Sequence, residues 1–135
     1  MTECIRVRDV MKEHVDLVSG SVSVAEAVRE MRHVETKCLI VDKRHDNDEY
    51  GIVLISDISR QVLARDRAPE RVNIFEVMTK PVVSVHPDMQ IRYCARLLEN
   101  LGLSRAPVLN EAGEIIGIVS HTDLVLKGLS RGEVE

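Results

Sequence analysis

The run GIVSHTD, from Gly117 to Asp123, sets Ser120, Thr122 and Asp123 around His121, and the run GIVLISD, from Gly51 to Asp57, sets Ser56 and Asp57 in matching places. A carboxylate at a helix start can accept hydrogen bonds from both hydroxyls of a ribose-like diol, while nearby hydroxyls and helix amides face phosphate oxygens. The plainer role for the same residues is structural, with Asp123 as a helix cap and Ser120 in a turn. Leu54 stands where the other run has Ser120, so the first run lacks one polar contact. A neutral hydrogen bond contributes ~0.5–1.5 kcal/mol and one to a carboxylate ~1.5–3 kcal/mol. Two unequal sites are therefore expected, the one at Asp123 stronger, and the one at Asp57 weaker or filled by apolar packing.

Other chemistry finds little support. The sequence contains no GxSxG, P-loop or Rossmann fingerprint, and Asp57 and Asp123 have no nucleophile or base beside them, so no catalytic residue is assigned and the chain is read as a non-enzyme. His14, His33, His45, His86 and His121 show no paired metal-ligand spacing. The acidic stretch from His45 to Glu49 lacks the glycine and terminal glutamate of a calcium loop, so it reads as a solvated loop and no metal is expected. Cys4, Cys38 and Cys94 form no CxxC pair, and are expected to be small buried or half-buried thiols.

The elements that must position these residues occur twice. A constant offset carries Val10 and Met11 onto Val77 and Met78, Val24 onto Ile91, Met31 onto Leu98, Val34 onto Leu101 and Val41 onto Val108; after one extra loop residue, Gly51 to Ile58 fall on Gly117 to Leu124. In the first copy a capping box at Ser23 to Glu26 opens a helix whose buried stripe is Val24, Ala27, Val28, Met31 and Val34. Ile91, Cys94, Ala95, Leu98 and Leu101 form the matching stripe. Each helix leads to two short strands, Cys38–Val41 with 51–55 and then 106–109 with 114–119. Helices beginning at Ser56-Asp57 and Thr122-Asp123 close the copies, joined by a polar linker. One copy of roughly 60 residues has too little core to be comfortable alone. Two copies packed sheet to sheet about a pseudo-two-fold axis would remedy this and leave clefts between them.

Composition bounds the partners. With 135 residues, 44% hydrophobic and 30% charged, the chain is the size of one ordinary globular domain. No apolar run approaches the roughly 18 residues of a membrane span, and the charged amino terminus lacks a signal-like apolar stretch, so a cytoplasmic location is expected. A net charge of −4, dispersed cations and only one Phe, two Tyr and no Trp argue against nucleic-acid binding.

The ending GIVSHTDL, preceded by SRAPVLNEAGEII, resembles the CBS domain, and the tandem copies resemble the paired Bateman module. The resemblance implies an α/β (α+β) fold of two βαββα repeats: 7–64, a linker over 65–73, and 74–130. Its nucleotide signature, Gly, apolar, any, Thr or Ser, any, any, Asp, is met fully by Gly117 to Asp123 and lost at Leu54 in the first copy. It implies a regulatory module that binds an adenosine-containing ligand (AMP, ADP, ATP, NAD or S-adenosylmethionine) in the cleft between the repeats. Asp123 would take the ribose, with Ser120, Thr122 and His121 beside it, and Asp57 with Ser56 in the first copy. Pro81, Val82 and Val83, with Ala106 and Pro107, could furnish an adenine slot. Arg105, and Lys37 in the first copy, are the phosphate candidates. No required cofactor is implied beyond an adenine nucleotide as regulatory ligand, and the expected partners are a second copy in a homodimer and a regulated protein. The alternative is a ligand-free dimerisation or protein-interaction scaffold, prompted by Val62, Leu63, Leu126 and Leu129.

Overall fold

The computed structural model describes residues 4–132. In chain order the elements are α1 (Val7–Val10), β1 (Leu17–Val18), α2 (Val24–Arg29), β2 (Cys38–Val41), β3 (Gly51–Leu54), α3 (Ile55–Gln61), α4 (Ile91–Leu101), β4 (Arg105–Leu109), β5 (Ile115–Ser120) and α5 (His121–Gly132), with single 3-10 turns between several of them. Among the described residues two compact units result, one formed by residues 15–82 and the other by residues 4–14 together with 83–132. Among the described residues no helix is long and apolar enough to cross a membrane.

In the unit of residues 15–82, β1 pairs parallel with β2, and β2 pairs antiparallel with β3 in the register Cys38↔Leu54 to Val41↔Gly51. β2 is apolar and buried at every position, as a strand covered on both faces must be. Leu39, Val41 and Val53 meet Val24 and Ala27 of α2, Ile58 of α3, and Val62, Val72, Ile74 and Val77 in one core. In the other unit β4 pairs antiparallel with β5, from Arg105↔Ser120 to Leu109↔Ile115, with an irregularity at Val108 and Leu109. Val7, Val10, Val85, Cys94, Leu98, Ala106, Val108, Val119 and Leu124 form its core.

The sequence repeats and the spatial units are cut differently. Lys12, which opens the first repeat, bridges Ile118 of the second repeat's β5, and Thr79, which opens the second, bridges Ile52 of the first repeat's β3. Each unit is thus completed by the segment that opens the other repeat. Gly117 makes the first of these approaches possible. A Cβ there would stand 2.4 Å from the Lys12 carbonyl oxygen, closer than packing allows.

Several expectations are corrected. α2 stops at Arg29 rather than continuing to Val34, which is 67% exposed, and Val28 is 44% exposed. The buried carboxylate of Asp16 accepts the backbone N–H groups of Arg32 and His33 at 2.9 and 2.8 Å and so holds them out of the helix. In the second copy no such diversion occurs before Leu101, although Leu101 itself is exposed rather than on the buried stripe. Val62 lies in the core instead of on the surface, and Val72, at the end of the expected polar linker, is buried with it. The closing helices begin earlier than expected, at Ile55 and His121, so Asp57 and Asp123 occupy their third positions and not their caps. Cys4 is exposed, while Cys38 and Cys94 are buried free thiols, the Cys94 thiol pushed up to about 11 by burial.

Candidate functional site

β5 runs directly into α5, and the hinge is Ser120. Its hydroxyl accepts the Asp123 N–H at 3.3 Å and donates to Asp123 Oδ2 at 3.0 Å, while the Ser120 N–H donates to the same oxygen at 3.1 Å. This reciprocal cap satisfies helix-start donors that would otherwise be unpaired, and it fixes one carboxylate oxygen inside the unit. The cap and the Asp have exchanged the places expected of them: Ser120 caps, and Asp123 reaches back.

The other carboxylate oxygen, Oδ1, accepts Lys12 Nζ at 2.5 Å and lies 3.4 Å from Lys127 Nζ. Lys127 also donates to the Val10 carbonyl oxygen at 3.1 Å, so both lysines tie the 4–14 segment to α5. The Asp123 side chain is 2% exposed, against 23% for Lys12 and 46% for Lys127, so the carboxylate lies inside two more exposed ammonium groups. Burial pushes the Asp123 carboxyl up. The bond and charge of Lys12, with the Ser120 hydroxyl and amide, outweigh it and hold the group below the ordinary carboxylate range.

Cross-strand pairing sets Arg105 beside Ser120. Arg105 Nε donates to Ser104 Oγ at 3.2 Å, and the His121 N–H donates to the Ser104 carbonyl oxygen at 3.2 Å. Thr122 is exposed and His121 half-buried. Lys12, Arg105, Ser120, His121, Thr122, Asp123 and Lys127 therefore belong to one end of the β4–β5 ladder, with two lysines on the Asp123 carboxylate and Arg105 on the strand position opposite Ser120. Ala106 is taken into the core, and Pro107 is buried, its carbonyl accepting the Val85 N–H at 3.0 Å. Any contact of these two with an adenine would be made by backbone at the strand end.

The equivalent ladder end in the other unit is built differently. Cys38 stands opposite Leu54 where the second repeat has Arg105 opposite Ser120. Asp57 accepts the Leu54 N–H at 2.8 Å and pairs with Arg60 Nη2 of its own helix at 2.6 Å. Ser56 is exposed; Lys37 is exposed with φ 58°, and its carbonyl accepts the Ile55 N–H at 3.0 Å. Pro81 is exposed after a cis peptide, Val82 donates its N–H to Tyr50, and the division of the units falls between Val82 and Val83. In the acidic loop, Asp48 is held by Arg44 and Lys80 at 3.0 and 2.8 Å, which keeps its carboxyl well below the usual range.

Lys12 and Lys127 were not visible as site residues in the sequence. Lys12 lies 111 residues from Asp123, and no local spacing rule connects them. The available signal was a departure between copies: Lys12 falls where the second repeat has Thr79, and Lys127 where the first has Gln61.

The sequence matches the CBS domain over residues 7–64 and again over 74–129. Among known structures, a hexameric CBS-CP12 protein from bloom-forming cyanobacteria is similar at 35% identity and TM-score 0.86, over 92% of this chain and 68% of that one. A CBS domain pair in complex with 5′-methylthioadenosine and S-adenosyl-L-methionine shares the fold, with TM-score 0.75 at 20% identity over 98% of this chain and all of that one. An uncharacterised protein of Methanopyrus kandleri is 28% identical over 82% of this chain and 57% of its own length. A homoserine O-acetyltransferase of Methanohalobium evestigatum is 30% identical over 87% of this chain but 23% of its own. The chain thus spans about half or less of the length of these curated relatives.

Proposed function

We propose that this chain, which belongs to the CBS-domain family as a tandem pair, is a regulatory rather than catalytic module that binds an adenosine-containing ligand at the Asp123 end of its second repeat. One observation carries the reading. A buried carboxylate at a helix start is gathered with a hydroxyl and two lysines, with Arg105 on the neighbouring strand, the donor and acceptor set that a ribose diol and an anionic tail require. The relative solved with methylthioadenosine and S-adenosylmethionine supports the ligand class, since it carries adenosine compounds on the same fold. Ligand binding regulates only as far as its affinity differs between two states of the module, and a partner or a second copy would read that difference.

A thermal-shift screen against AMP, ADP, ATP, NAD and S-adenosylmethionine tests the reading. At least one compound raises the melting temperature of the wild-type chain, and Asp123→Ala abolishes the rise. A screen without a stabilising compound, or an Asp123→Ala chain that keeps full affinity, refutes it.

The scaffold reading keeps one specific support: Leu63, Val125, Leu126 and Leu129 are 62%, 51%, 66% and 59% exposed on or beside the closing helices. A homodimer through these helices would cover them. Sedimentation of a monomer at micromolar concentration would exclude it.

A further inference from the structure

We infer that Lys12 is the charge-selectivity residue of the Asp123 site, a cation that surrenders Asp123 to the ligand's ribose and takes an anionic group of the same ligand in exchange. The inference rests on the adenosine-site reading above and deepens it. Both lone-pair directions used on Asp123 Oδ2 serve the helix cap, so that oxygen cannot be released without unmaking the start of α5. Oδ1 is the exchangeable one. Its short contact is with Lys12, whose side chain is 23% exposed where that of Asp123 is 2%.

A diol that approaches Asp123 must therefore displace Lys12 Nζ. Displacement leaves a partly buried ammonium beside Lys127, and like charges so close are unfavourable unless an anion joins them. A ligand with a phosphate supplies that anion; an uncharged nucleoside does not. The long flexible stem of lysine allows the exchange without backbone movement. The N-terminal segment itself is held by the Lys12–Ile118 backbone bridge, in which Lys12 N donates to Ile118 O at 2.8 Å and Ile118 N to Lys12 O at 2.9 Å. Lys12 can thus turn its head while its backbone stays in the ladder. In the first repeat the corresponding residue is Thr79, and the cation paired with Asp57 among the described residues is an arginine 65% exposed on its own helix, a surface group rather than a part-buried one.

Calorimetric titration of AMP and of adenosine into the wild-type chain and into Lys12→Thr, Lys12→Met and Lys12→Arg tests the exchange. The wild-type chain and Lys12→Arg prefer AMP by about tenfold or more, the worth of one charge-assisted bond. In Lys12→Thr and Lys12→Met the preference falls to about twofold, with adenosine bound as well as before or better. An unchanged AMP-to-adenosine ratio, with both ligands weakened alike, would make Lys12 only a staple for the 4–14 segment and overturn the inference while leaving the adenosine reading intact. If neither compound binds the wild-type chain, both fall together. Should the variants not fold, a crystal structure of the wild-type chain with AMP decides: Lys12 Nζ on a phosphate oxygen supports the exchange, and Nζ still on Asp123 overturns it.

Discussion

The same ladder end is polar in one repeat and apolar in the other. Arg105 opposite Ser120, with Lys12 and Lys127 on Asp123, contrasts with Cys38 opposite Leu54, with Asp57 turned to a surface arginine. Both ends keep the glycine, the antiparallel register and the backbone N–H that the Asp accepts, so the shared features are those the fold needs. What differs is the set of groups that could meet a ligand. A duplicated scaffold can thus retain its capping aspartate in both copies while the groups around that aspartate diverge.

The largest test of this contrast is steric. Gly117→Ala puts a methyl group against the Lys12 carbonyl, which is backbone and cannot yield, and should cost about 3 kcal/mol in urea unfolding. Gly51→Ala meets the mobile Met78 sulfur at 3.0 Å and the Thr79 carbonyl at 3.3 Å, and should cost about 1 kcal/mol. Equal costs would mean that the two crossings are not held differently.

Next comes the ion pair. Because the folded Asp123 pKa is depressed, its contribution is present above the unfolded value of about 3.9 and is lost as pH falls through the folded one. Lys12→Met should lower stability by about 1–2 kcal/mol at neutral pH, and the difference from wild type should vanish in strong acid. In the same variant the Asp123 carboxyl resonance should titrate at higher pH, since burial then acts with less opposition. An unmoved titration would show that Lys12 does not set the charge on Asp123.

The smallest expected effect lies in the first repeat. Leu54→Ser restores the hydroxyl that Ser120 supplies in the second, and should strengthen any nucleotide binding at Asp57 by only about threefold. Calorimetry on an Asp123→Asn background isolates that site, and a gain as large as the whole Asp123 contribution would mean that Leu54 alone, and not the missing cations, separates the two ends.

The repeat, its strands and the two aspartates were legible because each rests on a local signal: alternating burial, a capping pattern, or a hydroxyl and an acid at fixed spacing. Contacts set by distant groups were not. Asp16 ends α2 by capturing amides of residues 32 and 33, Val62 finds a core assembled partly from 72–77, and the opening segments exchange between repeats so that Lys12 reaches Asp123. The Asp123 surroundings were half legible for this reason: Ser120 and Arg105 are neighbours through one hairpin, whereas the lysine cover arrives from the far end of the chain.

The most direct measurement is calorimetric titration of AMP into the wild-type chain, Asp123→Asn and Asp57→Asn, the substitutions that keep side-chain size while removing the charge. Wild type should bind saturably, Asp123→Asn should lose roughly ten- to a hundredfold in affinity, and Asp57→Asn should stay within about twofold of wild type. Equal losses in the two variants, or a larger loss in Asp57→Asn, would contradict the assignment of binding to the second repeat.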